Sequence, residues 1–285
     1  MAPRRSTDAP PATTPLPVQT CEVATRLGRV HVRTIGAGAP TVLWSSMFVD
    51  SHTWDPLVPL LPTDRRYFLV DPPGLGLSES LHSRSDIAGA ADAALDVLKG
   101  LGIDGPVDWV GNAFGGHVGF KLAARPGVLR SLVAISSPVE PVDDALRRQI
   151  KILVPVLCAL GPVGPVRKAV LEAMLTDASR AKPAVRAAVI ESLGRPKHRS
   201  MALAVRSFIL DRLDVTGEIG DICVPSLFVA SDDRGDWSPE DAVAAAGLTA
   251  HAEAVTIAGA RTLVPLEQPA ALAAEVLQFW ASLES

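Results

Sequence analysis

Val107-Asp-Trp-Val-Gly-Asn-Ala-Phe-Gly-Gly116, continued by His117-Val-Gly-Phe-Lys-Leu-Ala-Ala124, is the stretch that decides the fold. A β-branched, apolar run feeds Gly111, and an amphipathic helical run leaves Gly116 with almost no loop between them. This layout predicts a strand, a sharp turn and a helix. It is the Gly-x-Ser-x-Gly arrangement, in which the turn lifts one side chain above the sheet. Gly111 and Gly115 fit, because the turn crowds the residues two before and two after its apex. The apex is Ala113, which has no heteroatom and cannot attack anything.

Outward from this turn, strands and helices alternate. Cys21 to Thr25 and Arg29 to Ile35 read as a hairpin at a sheet edge, and Thr41 to Ser45 as a short buried strand. Thr53 to Leu61 reads as a short helix stopped by Pro62, and Tyr67 to Asp71 as a strand. Asp86 to Leu101 carries a helical period closed by Gly102, and Leu129 to Ser136 is another strand. From 141 to 215 the pattern is helical, punctuated by Pro155, Gly161 to Pro165, Pro183 and Gly194 to Pro196. Alternation returns with a strand at Pro225 to Ala230, a helix at Pro239 to Ala246, a strand at Ala252 to Ala258 and a final helix at Gln268 to Leu283. The expected architecture is α/β: a mostly parallel, eight-stranded sheet flanked by helices, with an inserted helical cap. Residues 21–140 and 216–285 form the core domain, 141–215 the cap, and the Pro- and Thr-rich residues 1–20 a disordered leader. Ligands of such sheets bind beyond the carboxyl ends of the strands.

The 285 residues, 48% apolar and 20% charged, can bury one large core. A net charge of −4 speaks against nucleic acid or an anionic membrane as the main partner. No run of about 18 uncharged apolar residues appears, so no membrane span is expected. Cys21, Cys158 and Cys223 are widely spaced and odd in number, which reads as reduced thiols of a cytoplasmic protein without a metal site or cofactor. A homodimer is among the assemblies the chain allows.

Five ordered motifs resemble the α/β-hydrolase fold, specifically its cap-bearing branch of esterases, epoxide hydrolases, haloperoxidase-like and C–C hydrolases. They are the loop after Trp44, Asp71-Pro-Pro-Gly-Leu-Gly-Leu-Ser78, the turn Gly111 to Gly115, Ala230-Ser-Asp-Asp233, and Gly259-Ala-Arg-Thr-Leu-Val-Pro265. The resemblance implies a Ser nucleophile, a late acid and a His before the last helix. Ala113 occupies the nucleophile position and Thr262 the His position. Asp233 takes the acid position, with Asp232 and Asp236 as alternative registers. The His-Gly pair of the oxyanion loop is Ser45-Ser46, so the implied oxyanion donors are the N–H groups of Met47 and Phe114.

Around this frame, Trp44, Ser45, Ser46, Phe48, Asp50, His52, Asn112, Trp237, Arg261 and Leu263 are expected to meet the substrate. Asp233, without a His partner, has two readings: a relic acid satisfied by backbone N–H groups or by Arg261, or, in a dry pocket with no cation near, a base of raised pKa that moves a proton. His117 reads as a satisfied core histidine. The Ala-, Arg-, Val- and Pro-rich composition looks like that of a GC-rich bacterium, where relatives of this fold serve natural-product pathways of polyketide or enediyne type. The expected function is non-hydrolytic: cyclisation or C–C or C–O bond formation on a large hydrophobic, oxygenated small molecule. Its means are confinement, oxyanion stabilisation and proton transfer. Two alternatives stand beside it: a serine hydrolase inactivated by Ser-to-Ala at 113, and a ligand-binding protein without turnover.

Overall fold

The computed structural model describes residues 17–233, 235 and 237–284. Its strands are β1 (Val18–Thr25), β2 (Gly28–Gly36), β3 (Ala39–Trp44), β4 (Arg65–Val70), β5 (Val107–Asn112), β6 (Leu129–Ile135), β7 (Ser226–Ser231) and β8 (Ala252–Ile257). They form one sheet in the order β1-β2-β4-β3-β5-β6-β7-β8. β2 is antiparallel to both its neighbours, and every pairing from β4 to β8 is parallel. After β3 the chain crosses to one side to make β4 and then returns to the other to make β5. The loops leaving β3 and β5 therefore diverge, and a crevice opens between them.

Alternation along each strand feeds two cores. Val42, Trp44, Trp109 and Phe228 face α1 (Ile87–Gly100) and α2 (Phe114–Ala123), whereas Leu43, Val110, Leu227 and Val229 face the opposite layer. That layer is closed by the C-terminal helix at Pro269–Ser282 and by Trp54, Leu57 and Leu61. Between β6 and β7 the chain builds α3 (Asp144–Leu160), α4 (Gly164–Met174), α5 (Asp177–Ala181), α6 (Pro183–Gly194), α7 (His198–Val205), a π turn at Arg206–Leu210 and α8 (Thr216–Ile219). α9 (Pro239–Ala246), α10 (Val264–Glu267) and α11 (Pro269–Ser282) follow. Among the described residues no helix is long and apolar enough to cross a membrane.

Three local expectations are corrected. β1 begins at Val18, inside the expected leader, because main-chain pairing with residues 33–35 carries it there. Its side chains at 18–20 are exposed, so no apolar pattern marks the start. The helix expected over 53–61 is instead two 3₁₀ turns, Ser51–Trp54 and Val58–Leu60. Pro56 and Pro59 supply no N–H to an i→i−4 ladder. Pro155, read as punctuation, lies within α3.

Candidate functional site

A cavity of about 400 Å³ lies between the carboxyl ends of the strands and the helices inserted after β6. Its floor is Ser46, Met47 and Phe48 after β3, Ala113 and Phe114 after β5, Ser136 after β6, and Thr262 after β8. Its roof, from α3, α4, α7 and the π turn, is apolar apart from Gln149 and Glu172. Ala113 has φ 47° and ψ −101°, the strained conformation of the turn apex. Cβ atoms at Gly111 and Gly115 would overlap the Gly115 main chain and the Trp44 carbonyl, respectively, so this approach of strand to helix admits no larger residue. Phe48 (φ 67°) and Ser136 (φ 50°) are the only other described non-glycine residues with positive φ, and both also line the cavity. Such backbones cost about 1–3 kcal/mol each and persist where the surroundings enforce them. Neither the Met47 nor the Phe114 N–H has an acceptor among the described residues.

The position expected for a histidine is engaged elsewhere. An α-helix leaves its last four carbonyls without intrahelical partners. In α4 these are Leu171, Glu172, Ala173 and Met174, and all four are satisfied. Leu175 N–H donates to Leu171 O (3.1 Å), Thr262 Oγ1 to Ala173 O (3.0 Å), Leu263 N–H to Met174 O (3.2 Å), and Arg261 Nη1 to Glu172 O. Residues 261–263 thus form a C-terminal cap for a helix of the insertion. Arg261, 6% exposed, also donates from Nη2 to Asp233 Oδ2 (3.1 Å) and from Nε to Asp233 O (3.1 Å). The premise for a proton-shuttling Asp233 therefore fails: a guanidinium stands against its carboxylate, and Asp233 is not on the cavity wall. Asp232 accepts from Gly259 N–H (2.7 Å), also away from the cavity, and Asp236 lies outside the described residues.

Residues 30–275 match the Alpha/beta hydrolase family. The chain belongs to that family. Solved structures with the same fold include a thermophilic esterase from Thermogutta terrifontis, at 20% identity with a TM-score of 0.83, covering 94% of this chain and 100% of that one. An enol-lactonase from Burkholderia xenovorans LB400 is 21% identical, with a TM-score of 0.83 and coverage of 92% and 100%. The epoxide hydrolase CorEH is 18% identical, with a TM-score of 0.77 and coverage of 94% and 100%. No curated protein matches the sequence significantly.

Within this α/β-hydrolase frame several expected cavity residues are placed elsewhere. Trp44 is fully buried and stacks on Trp109 at 5.2 Å, beneath the turn, because the strand pleat aims it at the helical layer. Trp237 packs against Phe228 at 5.5 Å in the same layer. Ser45 accepts from Trp54 Nε1 (3.0 Å) and donates to Val70 O (3.1 Å). The Asn112 amide donates to Thr262 O (2.8 Å) and Ile135 O (3.3 Å), joining the turn to the β8–α10 loop. Leu263 is buried and off the wall. Asp50 and His52 form a separate cluster: Asp50 Oδ1 accepts from His52 Nδ1 (2.9 Å), and Oδ2 pairs with Arg195 of the insertion. Burial opposes the Asp50 charge, yet the His52 donors and Arg195 hold its carboxyl below the usual range. Burial and the neighbouring Asp50 push Asp71 up.

His117 and Arg212, by contrast, line the cavity. His117 lies four residues after the apex, one turn along the same helix face, and that spacing was the available signal. Its Nε2 faces Pro138 O at 2.8 Å, and since a carbonyl only accepts, Nε2 carries the proton. Burial, then the charge of Arg212, hold its pKa down to about 3. The cavity therefore presents a neutral imidazole at pH 7. Among the described residues no group of three or more His, Cys, Asp or Glu is placed to hold a metal.

Proposed function

We propose that this α/β hydrolase is a non-hydrolytic enzyme that binds a hydrophobic, oxygenated small molecule and promotes cyclisation or C–C or C–O bond formation. The observation that carries the reading is the strained turn at Ala113, kept with two unengaged amides beside it although its apex bears no nucleophile. A relic would be free to relax by about 1–3 kcal/mol, so the retained geometry speaks for use. In this reading the Met47 and Phe114 N–H groups receive a carbonyl oxygen as negative charge grows on it. The apolar walls hold the reacting carbons in a near-attack pose. Ala113 leaves room for the substrate and forms no acyl-enzyme. Asp233 is engaged with Arg261 and His117 is a weak base, so confinement and the two amides carry the rate. The bacterial composition makes polyketide-type natural products the first substrates to try.

Incubation with hydrophobic β-polyketones in H₂¹⁸O, followed by mass spectrometry, tests this. An isomeric product, or one formed by loss of water, with the carbon skeleton intact is expected. An ¹⁸O-labelled cleavage product would mean hydrolysis, and tight binding without conversion would mean a carrier.

A further inference from the structure

The cavity is thinly walled at the α3–α4 seam. Gln149, Leu153, Ala169 and Glu172 line both the cavity and a groove on the outer face of the α3–α4 seam, so the wall there is one side chain thick. Ile152, 72% exposed, borders that groove together with Lys168. Lys168 and Glu172 in turn border a second outer groove between α4 and α6, which adds Arg167, Arg180 and Arg186. Only the side chains of Gln149, Leu153, Ala169 and Glu172 thus separate the cavity from an outer surface that carries the four cations Arg167, Lys168, Arg180 and Arg186. Glu172 pairs with Lys168 (3.9 Å) and Arg180 (3.4 Å), and Asp177 also takes Arg180 (2.5 Å). Arg167 and Arg186 have no carboxylate partner among the described residues. The insertion as a whole is basic: residues 141–215 hold 13 Lys and Arg against 7 Asp and Glu, in a chain of net charge −4.

We propose that the ligand enters through the α3–α4 seam and carries an anionic group that remains outside, on the Arg167–Arg186 groove, while its hydrophobic body fills the cavity. This rests on the reading of the cavity as a small-molecule site and is independent of turnover. A cavity of about 400 Å³ holds a drug-sized apolar body. A carboxylate, sulfate or phosphate on such a body meets the cations only if it points outward, so the charge also fixes the direction of insertion.

Two dyes with the same rings test it on the full chain: 1-anilinonaphthalene-8-sulfonate and its uncharged counterpart N-phenyl-1-naphthylamine. The Arg167→Glu/Arg186→Glu variant should weaken the sulfonate dye about three- to tenfold, the scale of two exposed charge contacts. The uncharged dye should change less than twofold, and Arg167→Lys/Arg186→Lys should restore most of the sulfonate affinity. Ala169→Trp, which plugs the seam, should slow association of both dyes. Equal effects on the two dyes, or none, would overturn the anionic preference. Unchanged association rates in Ala169→Trp would overturn the seam as the mouth. If neither dye binds, the cavity reading itself falls.

Discussion

Ala113 and Thr262 differ in what a single substitution can restore. Placing a hydroxyl at the apex supplies a nucleophile without a base, and loss of the Ser or the His of a triad alone costs on the order of 10⁶ in rate. Ala113→Ser is therefore expected to leave p-nitrophenyl acetate hydrolysis at background, without a burst. Robust hydrolysis by that variant would contradict the non-hydrolytic reading. His117 makes a second prediction at this scale. Its folded pKa of about 3 lies below the unfolded value of about 6.5, so below that pH the unfolded chain binds a proton that the folded one refuses. Stability should fall as pH drops from about 6.5 towards 3, by up to about 1.4 kcal/mol per pH unit from this group. His117→Gln keeps a donor for Pro138 O and removes the titration. Urea unfolding at pH 7 and pH 4.5 should show a smaller loss in the variant, and equal losses would remove His117 from the account.

Among elements, α4 depends most on distant residues. Three of its last four carbonyls are satisfied by residues 261–263, about 89 positions along the chain. Thr262→Val keeps the shape and removes the donor, leaving Ala173 O without its partner at a cost of about 1–3 kcal/mol. Hydrogen exchange should rise at the end of α4 and the start of α5, with α1 and α2 unchanged. Uniform protection throughout would show that the bond does not hold the helix. The β5–α2 turn is stiffer. Gly115→Ala sets a Cβ against the Trp44 carbonyl, a backbone atom that cannot swing aside, and should cost about 3 kcal/mol or more. A thermal melt within a degree or two of the parent would contradict this packing.

For the whole molecule, Arg261 is the junction where the acid-bearing loop, the β8–α10 loop and the insertion meet. Asp233→Asn removes a carboxylate from a guanidinium that is 6% exposed and should destabilise the chain by about 1–3 kcal/mol, less than a fully buried pair because the Asp233 side chain is 27% exposed. Since the carboxylate is not on the cavity wall, dye affinity and any turnover should be nearly unchanged. A fall of 10² or more in turnover at constant stability would return Asp233 to the chemistry.

What the sequence by itself determined is local in origin. Strand alternation, the helical periods, the Gly-x-Ala-x-Gly turn and the lack of a nucleophile at its apex depend on neighbours a few residues apart. They were readable together with the α/β-hydrolase resemblance they carry. The starts of elements held only by main-chain pairing, such as β1 at Val18, left no side-chain pattern to read. Which polar groups face the cavity was decided only by the tertiary structure, because that depends on where each finds a partner. Asp233 looks like a site residue in order along the chain, yet Arg261 engages it off the cavity wall, and Thr262 reaches the cavity floor with its hydroxyl already given to the end of α4. Asp50 and His52 are drawn to Arg195 of the insertion. His117 is held on the wall by the carbonyl of Pro138, 21 residues on, and kept neutral by its burial and by the charge of Arg212.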